Sequence, residues 1–183
     1  MQEISDIEIY IGFTALITGL LIGVVIVFYT LRTGAPPMPS SPVMRRTLRM
    51  VLPKNPQGDV VELGSGWGGL TQQLGEAYPN HTIIGLELSP LPWLISRLRS
   101  LLVGARHVQY LRCDFRVHPI DRAGLIVCYL NPEVMQKIEP WLWQGVAKGS
   151  WIVCIGFALP GHQAIKQVHV PDIHASQIFL YQR

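Results

Sequence analysis

The chain has 183 residues, a formal net charge of +3 and only 15% charged side chains. That is the size of one domain, but its positive mean hydropathy is unusual for a wholly soluble protein. The small basic excess comes with no aromatic-and-basic module, so no nucleic-acid partner is expected, and neither the three cysteines nor the six scattered histidines show metal-ligand spacing.

From Ile9 to Leu31 no charged residue occurs. A bilayer needs about twenty apolar residues as a helix, so 9–31 is expected to span a membrane once. The run is too long for a signal-peptide core, its flank carries Glu3, Asp6 and Glu8, and no small-residue cleavage site follows. Tyr10 at one end and Phe28-Tyr29 at the other suit the two interfaces. Arg32, Arg45, Arg46, Arg49 and Lys54 all follow the span. The positive-inside rule therefore places the amino end outside and the remaining domain in the cytoplasm. The acidic start lacks an Arg-rich transit peptide, which points to a bacterial inner membrane.

Residues 32–41 read as a short linker rich in proline and glycine. Pro42 to Leu52 reads as a basic amphipathic helix, with Val43, Leu48 and Val51 leaning one way and Arg45, Arg46 and Arg49 mostly another. Anionic lipid head groups are its expected contact. Residues 42–183 form the expected catalytic domain.

Asp59 to Leu63 is a short apolar strand, followed by the turn Gly64-Ser65-Gly66-Trp67-Gly68-Gly69 and a helix from Leu70 to Tyr78. Glycines let the backbone approach a ligand, and the helix start offers free N–H groups and a positive dipole end. The turn therefore reads as a nucleotide-type cofactor cradle at a sheet edge. Gly64, Gly66 and Gly69 fit the dinucleotide pattern G-x-G-x-x-G, with Glu87 about twenty residues on. Two further acids shift the reading. Glu62 stands where a pyrophosphate would be repelled, and Asp114 follows the strand-like His107 to Arg112. Acids at three successive strand ends suit S-adenosylmethionine: Glu62 for the methionine end, Glu87 for the ribose hydroxyls, Asp114 for the adenine. The expected cradle is Glu62, Gly64, Ser65, Gly66 and Gly68, then Glu87 and Leu88, then Cys113, Asp114 and Phe115. Trp93 is either a cover for the adenine or a core residue.

The remaining elements alternate. Thr82 to Glu87 is a strand and Pro90 to Val103 a helix. Ala123 to Leu130 is a near-continuous apolar strand, as a parallel sheet buried on both faces requires. Pro132 to Ala147 is a helix, and Ser150 to Phe157 a strand. Ala164 to Val170 and Ser176 to Gln182 alternate as a terminal hairpin. Cys128 and Cys154 lie in apolar runs and read as core residues. Of Trp141 and Trp143, one is expected in the core with Ile138 and the other at the membrane or the substrate.

With VVELGSG, Glu87, Asp114 and this strand order, the chain resembles the class I S-adenosylmethionine-dependent methyltransferases. The resemblance implies an α/β, Rossmann-like seven-stranded sheet ending in an antiparallel hairpin, here preceded by one transmembrane helix. PPMPSSPVMRRTLRM, VVELGSG, Tyr129-Leu130-Asn131-Pro132-Glu133 and Ala158-Leu159-Pro160-Gly161 further resemble the membrane-anchored lysine methyltransferases related to the ATP synthase c-subunit and adenine nucleotide translocase enzymes. The chain departs from that pattern at Trp67-Gly68-Gly69, where members carry an acid followed by Gly-Arg. The resemblance implies protein-lysine N-methylation of a membrane protein or membrane-associated substrate, with no metal. A methyltransferase on a lipid or quinone, and a non-catalytic S-adenosylmethionine-binding assembly factor, stay open beside it. Tyr129, Asn131 and Glu133 follow the fourth strand, where such enzymes place substrate-facing groups. Asn131 is also a natural N-cap, and Glu133 a natural first-turn acid, for the helix that follows.

Overall fold

The computed structural model describes residues 2–33, 40–172 and 175–183. The chain divides into two compact units, Met1–Pro36 and Pro37–Arg183. Most of the linker expected over 32–41, and the two residues 173 and 174 in the turn of the terminal hairpin, lie outside the described residues.

The first unit is one helix, α1 (Gln2–Thr33). Its stretch Ile7–Arg32 is long and apolar enough to cross a membrane, and none of its apolar window is buried in protein. Apolar side chains ring it on all sides, as a lipid-facing helix requires. Thr14 Oγ1 donates to the Tyr10 carbonyl at 2.7 Å, so this hydroxyl is satisfied within the helix.

The second unit is built on a seven-stranded sheet. Its elements in chain order are α2 (Pro42–Val51), β1 (Asp59–Leu63), α3 (Gly69–Ala77), β2 (Ile83–Glu87), α4 (Pro90–Val103), β3 (Val108–Arg112), β4 (Ala123–Cys128), α5 (Pro132–Gly145), β5 (Trp151–Ile155), β6 (Lys166–His169) and β7 (Gln177–Gln182). The strand order is β3-β2-β1-β4-β5-β7-β6. The first five strands pair in parallel, while β7 runs antiparallel to both β5 and β6. β2 and β4 are buried along their whole length. This is why they read as continuous apolar runs rather than alternating ones.

Two cores sandwich the sheet. On one face Met44, Leu48 and Val51 of α2 and Leu70 and Leu74 of α3 pack against Val60, Leu125 and Val153. On the other, Met135, Ile138 and Leu142 of α5 pack against Val61, Ile126 and Ile152. Chain order reverses between β1 and β4, whose carboxyl ends lie side by side at Leu63 and Cys128. Ligands of open α/β sheets bind in the crevice at such a reversal.

Several boundaries move from the sequence expectation. β4 stops at Cys128, because Tyr129 and Leu130 leave the ladder to reach the N-cap of α5 at Asn131. β5 stops at Ile155, because Gly156 turns the chain with φ at 85°. Asp114 starts a short 3-10 turn, Phe115–Val117, for which the sequence carries no periodic signal. Trp141 and Trp143 are both half-buried. Trp143 stacks on His162 at 3.8 Å between ring centroids, Trp141 lies 6.1 Å from Phe115, and both pack on the second core.

Candidate functional site

The glycine turn is suspended from β2. Gly64 and Ser65 both donate their N–H groups to the Leu86 carbonyl at 2.9 Å, and Gly68 N–H closes back onto the Ser65 carbonyl at 2.9 Å. The glycines within it do different work. Gly66, at φ 51°, has nothing within 4 Å of the position a Cβ would take. Its outer side is open space beside backbone, which is what a bound cofactor needs. Gly68, at φ 76°, is a packing residue instead. A Cβ there would lie 2.5 Å from Ser96 Cβ and 2.7 Å from the Tyr110 ring. The Tyr110 hydroxyl donates to the Gly68 carbonyl at 2.8 Å and fixes this corner from β3.

Glu87, the last residue of β2, turns its buried carboxylate back onto this backbone. Oε2 accepts the Gly66 N–H at 2.8 Å and Oε1 the Ser89 N–H at 2.7 Å. The half-buried Leu88 lies between. Cys113 N–H donates to the Glu87 carbonyl at 3.1 Å, drawing the end of β3 to the same place. Burial, and after it the neighbouring Asp114, push the Cys113 thiol above its ordinary range.

Asp114 follows the end of β3, as the sequence reading expects, and its carboxylate has local partners. It caps the 3-10 turn through the Arg116 N–H at 3.0 Å, and its carboxylate pairs with the Arg116 guanidinium at 2.5 Å. The adenine role therefore requires Asp114 to share its oxygens with Arg116. Phe115 beside it packs on Trp141. Trp93 is held as a core residue, its Nε1 donating to the Tyr110 carbonyl at 3.0 Å.

Glu62 sits beneath the turn, 2% exposed, on the α3 side of the sheet. Thr71 Oγ1 donates to its Oε2. Burial raises the Glu62 carboxyl to about 8; the Thr71 hydrogen bond opposes this, Glu87 adds to it, and Arg45 opposes it. Ser65 Oγ is buried in the same corner with no hydrogen-bond partner. An unpaired buried hydroxyl and a neutral buried acid, both beside an open backbone, are groups a polar, cationic ligand would satisfy.

Arg45, which the sequence reading places among the basic residues facing lipid, also reaches the site. In the structure its Nε donates to Ser40 Oγ at 2.7 Å, and its guanidinium covers Gly69 at the start of α3. It is the cation nearest the Glu62 corner in effect, since it lowers that carboxyl. One sequence signal pointed there. Arg45 lies three residues before Leu48, on the margin of the buried stripe of α2.

The three residues after β4 separate. Tyr129 is half-buried, with its ring 3.6 Å from where a Cβ on Gly156 would stand. Asn131 caps α5, its Oδ1 accepting the Val134 N–H at 2.8 Å. Glu133 is exposed in the first turn of α5. The structure thus gathers Glu62, Ser65, Gly66 and Glu87 around one turn. Tyr129 and Asn131 stand on the neighbouring strand's exit, and Glu133 lies further out.

Residues 62–166 match the family described as the ANTKMT methyltransferase domain. That stretch runs from the buried acid through the glycine turn and the β4 exit to the terminal hairpin. No protein of curated function matches the chain. Among solved structures, an RNA methyltransferase from Salinibacter ruber in complex with S-adenosyl-L-homocysteine is 21% identical, with a TM-score of 0.67 over 79% of this chain and 93% of that one. TrmN from Thermus thermophilus is 16% identical, with a TM-score of 0.61 over 84% of this chain and 50% of that one. Precorrin-6y C5,15-methyltransferase from Geobacter metallireducens GS-15 is 14% identical, with a TM-score of 0.60 over 76% of this chain and 88% of that one. At these identities the likeness shows a shared fold, the seven-stranded class I methyltransferase sheet.

Proposed function

We propose that this chain, which belongs to the ANTKMT methyltransferase domain family and is an S-adenosylmethionine-dependent methyltransferase, methylates a lysine side chain of a membrane-associated protein. The observation that carries the reading is the family match over the cradle itself, residues 62–166, in a chain that also holds a helix long and apolar enough to span a bilayer.

When bound, S-adenosylmethionine supplies an electrophilic methyl group on a sulfonium. The chain's own residues do the rest. The open backbone at Gly66 and the carboxylate of Glu87 hold the ribose side of the cradle. Glu62, which a cationic ligand would ionise, suits the amino group of the methionine end, and the Arg45 guanidinium suits its carboxylate. Methyl transfer is an in-line displacement, so its main requirement is alignment of the acceptor with methyl and sulfur in a dry site. Tyr129 and Asn131, at the exit of β4, border that position. A lysine acceptor has a free pKa of about 10.4 and must arrive neutral. Partial desolvation lowers it, and the Glu133 carboxylate, further out on α5, is a place for its proton to go.

The anchor limits the targets. We take Ile7–Arg32 as a single span, with the amino end outside and the domain on the cytoplasmic side of a bacterial inner membrane. Eight residues separate Thr33 from Pro42. Fully extended, a link of that length reaches about 30 Å. The acceptor therefore lies at the membrane surface or on a protein embedded in it.

The test is transfer of a labelled methyl group from S-adenosylmethionine to membranes of a deletion strain by the purified full-length chain. Label on lysine in a membrane-protein band supports the reading. Label in the organic phase would move the acceptor to a lipid or quinone. No label with intact cofactor binding would leave an assembly factor.

A further inference from the structure

Helix α4 is built inside out. Its buried face is made of small side chains: Pro92 and Ser96 are buried and Ser100 is half-buried. Its outer face is leucine. Leu94, Leu98, Leu101 and Leu102 are 45, 51, 71 and 88% exposed. At 3.6 residues per turn these four, with Leu91, form one continuous stripe along the helix. A helix packed on a sheet in water shows the opposite arrangement.

The inner face has a structural reason. Ser96 must be small because the glycine turn packs directly on it, with Gly68 leaving no room for a Cβ. Trp93 supplies the apolar contact and is pinned to β3 through its Nε1. The outer leucines have no such reason. They belong to neither core cluster of the described residues, and a contiguous exposed apolar stripe marks a contact surface.

Charge identifies what they meet. Between Glu87 and Asp114 the chain contains no acidic residue, while Arg97, Arg99, Arg106 and Arg112 fall inside that interval. The first three are exposed around the stripe. Arg99 also reaches a hollow of about 380 Å³ beside Arg46 and Arg49 of α2, where Glu76 pairs with Arg49 and leaves the arginines in excess. Leucines flanked by arginines match an anionic lipid surface: the leucines enter the acyl boundary, and the guanidinium groups lie at the phosphate level. A second copy of the chain fits poorly, because a two-fold contact through the stripe would set these arginines against their own counterparts.

We infer that α4 is a second, in-plane membrane contact of this enzyme, inserting its leucine stripe into an anionic bilayer. The inference rests on the proposed anchorage for one thing only, that Ile7–Arg32 brings the domain to a bilayer.

The test uses the full-length chain in phosphatidylcholine vesicles with and without phosphatidylserine. The photo-crosslinker p-benzoylphenylalanine replaces Leu98 or Leu101, both already exposed, and in a control replaces the exposed Lys148. Irradiation is expected to give lipid adducts at positions 98 and 101, at least tenfold more than at 148, and more with phosphatidylserine present. Equal adducts at all three positions, crosslinks to a second copy or to another protein, or no adducts at 98 and 101 would each overturn it. Alkaline carbonate extraction reports separately on the anchor. Lipid adducts at position 98 sustain the α4 contact whichever way that extraction falls.

Discussion

Glu87 Oε2 accepts the Gly66 N–H at 2.8 Å, so the last side chain of β2 shapes the turn that follows β1. Its second oxygen holds Ser89 N–H at 2.7 Å. From the sequence alone, loss of this acid would cost cofactor affinity and leave the fold intact. The structure changes that expectation, because Glu87→Ala also strips two backbone donors of their acceptor. Stability and affinity should each fall by on the order of 1–3 kcal/mol. Glu87→Gln keeps one acceptor oxygen and should recover part of the stability while affinity stays low. Urea unfolding and titration calorimetry with S-adenosylmethionine read the two quantities separately. Unchanged affinity in a folded Glu87→Ala protein would remove Glu87 from the cofactor site.

Gly66 and Gly68 should respond oppositely to substitution. Gly66→Arg adds a Cβ where no protein atom lies within 4 Å, so apart from about 1–2 kcal/mol for a left-handed backbone the protein should still fold, and it should fail to bind S-adenosylmethionine. Gly68→Ala drives a methyl into Ser96 and Tyr110. Overpacking and a left-handed backbone together should cost about 2–5 kcal/mol of stability. Circular dichroism melts and cofactor titration distinguish them. A stable Gly68→Ala protein without binding would reverse the two roles.

Glu62 gives the enzyme a pH signature. Its folded carboxyl titrates at about 8, against 4.5 for the unperturbed group, with burial the leading cause. Between those values the folded state keeps a proton that the unfolded state has lost. Stability should therefore be greatest at the acid side of this window and decline as pH rises toward 8, by several kcal/mol at most. Glu62→Gln should flatten that slope. A cationic cofactor favours the ionised carboxylate, so S-adenosylmethionine should bind more tightly as pH rises through 8 and release a proton on binding. Calorimetry in buffers of different ionisation enthalpy measures that proton. Equal proton release by Glu62→Gln would place its source elsewhere.

The sheet was legible in the sequence because its four inner parallel strands are buried on both faces, and Val60-Val61, Ile83-Ile84 and Ala123 to Cys128 have no polar face to show. The glycine turn was legible because backbone conformation is written in residue type. Side-chain partnership was not. Asp114 has two local uses, as a cap and as the partner of Arg116, and a pattern of acids at strand ends cannot weigh these against a ligand. Arg45 escaped because a helical arginine on the margin of a buried stripe can turn either way, and only the placement of α3 decides it. The outer leucine stripe of α4 is not legible in the sequence, because leucines at helical spacing suit a core face equally well. Only the tight seat of Ser96 against the glycine turn shows that the other face points inward.

The residues after β4 can be separated by kinetics. Asn131 holds the first turn of α5 through Val134, so Asn131→Ala should cost about 1 kcal/mol of stability whatever it does for catalysis. Glu133 makes a weaker structural contribution. An acid in the first helical turn is worth roughly 0.3–1 kcal/mol with the helix dipole. Glu133→Gln keeps the size of the side chain and removes its charge. If the carboxylate receives the proton of the incoming amine, turnover should fall about tenfold or more while the KM for S-adenosylmethionine stays near that of the unaltered enzyme. The loss should shrink as pH rises toward the pKa of the lysine, because the acceptor then arrives already neutral. A pH–rate profile of Glu133→Gln parallel to that of the unaltered enzyme, at equal turnover, would reduce Glu133 to a residue that starts a helix.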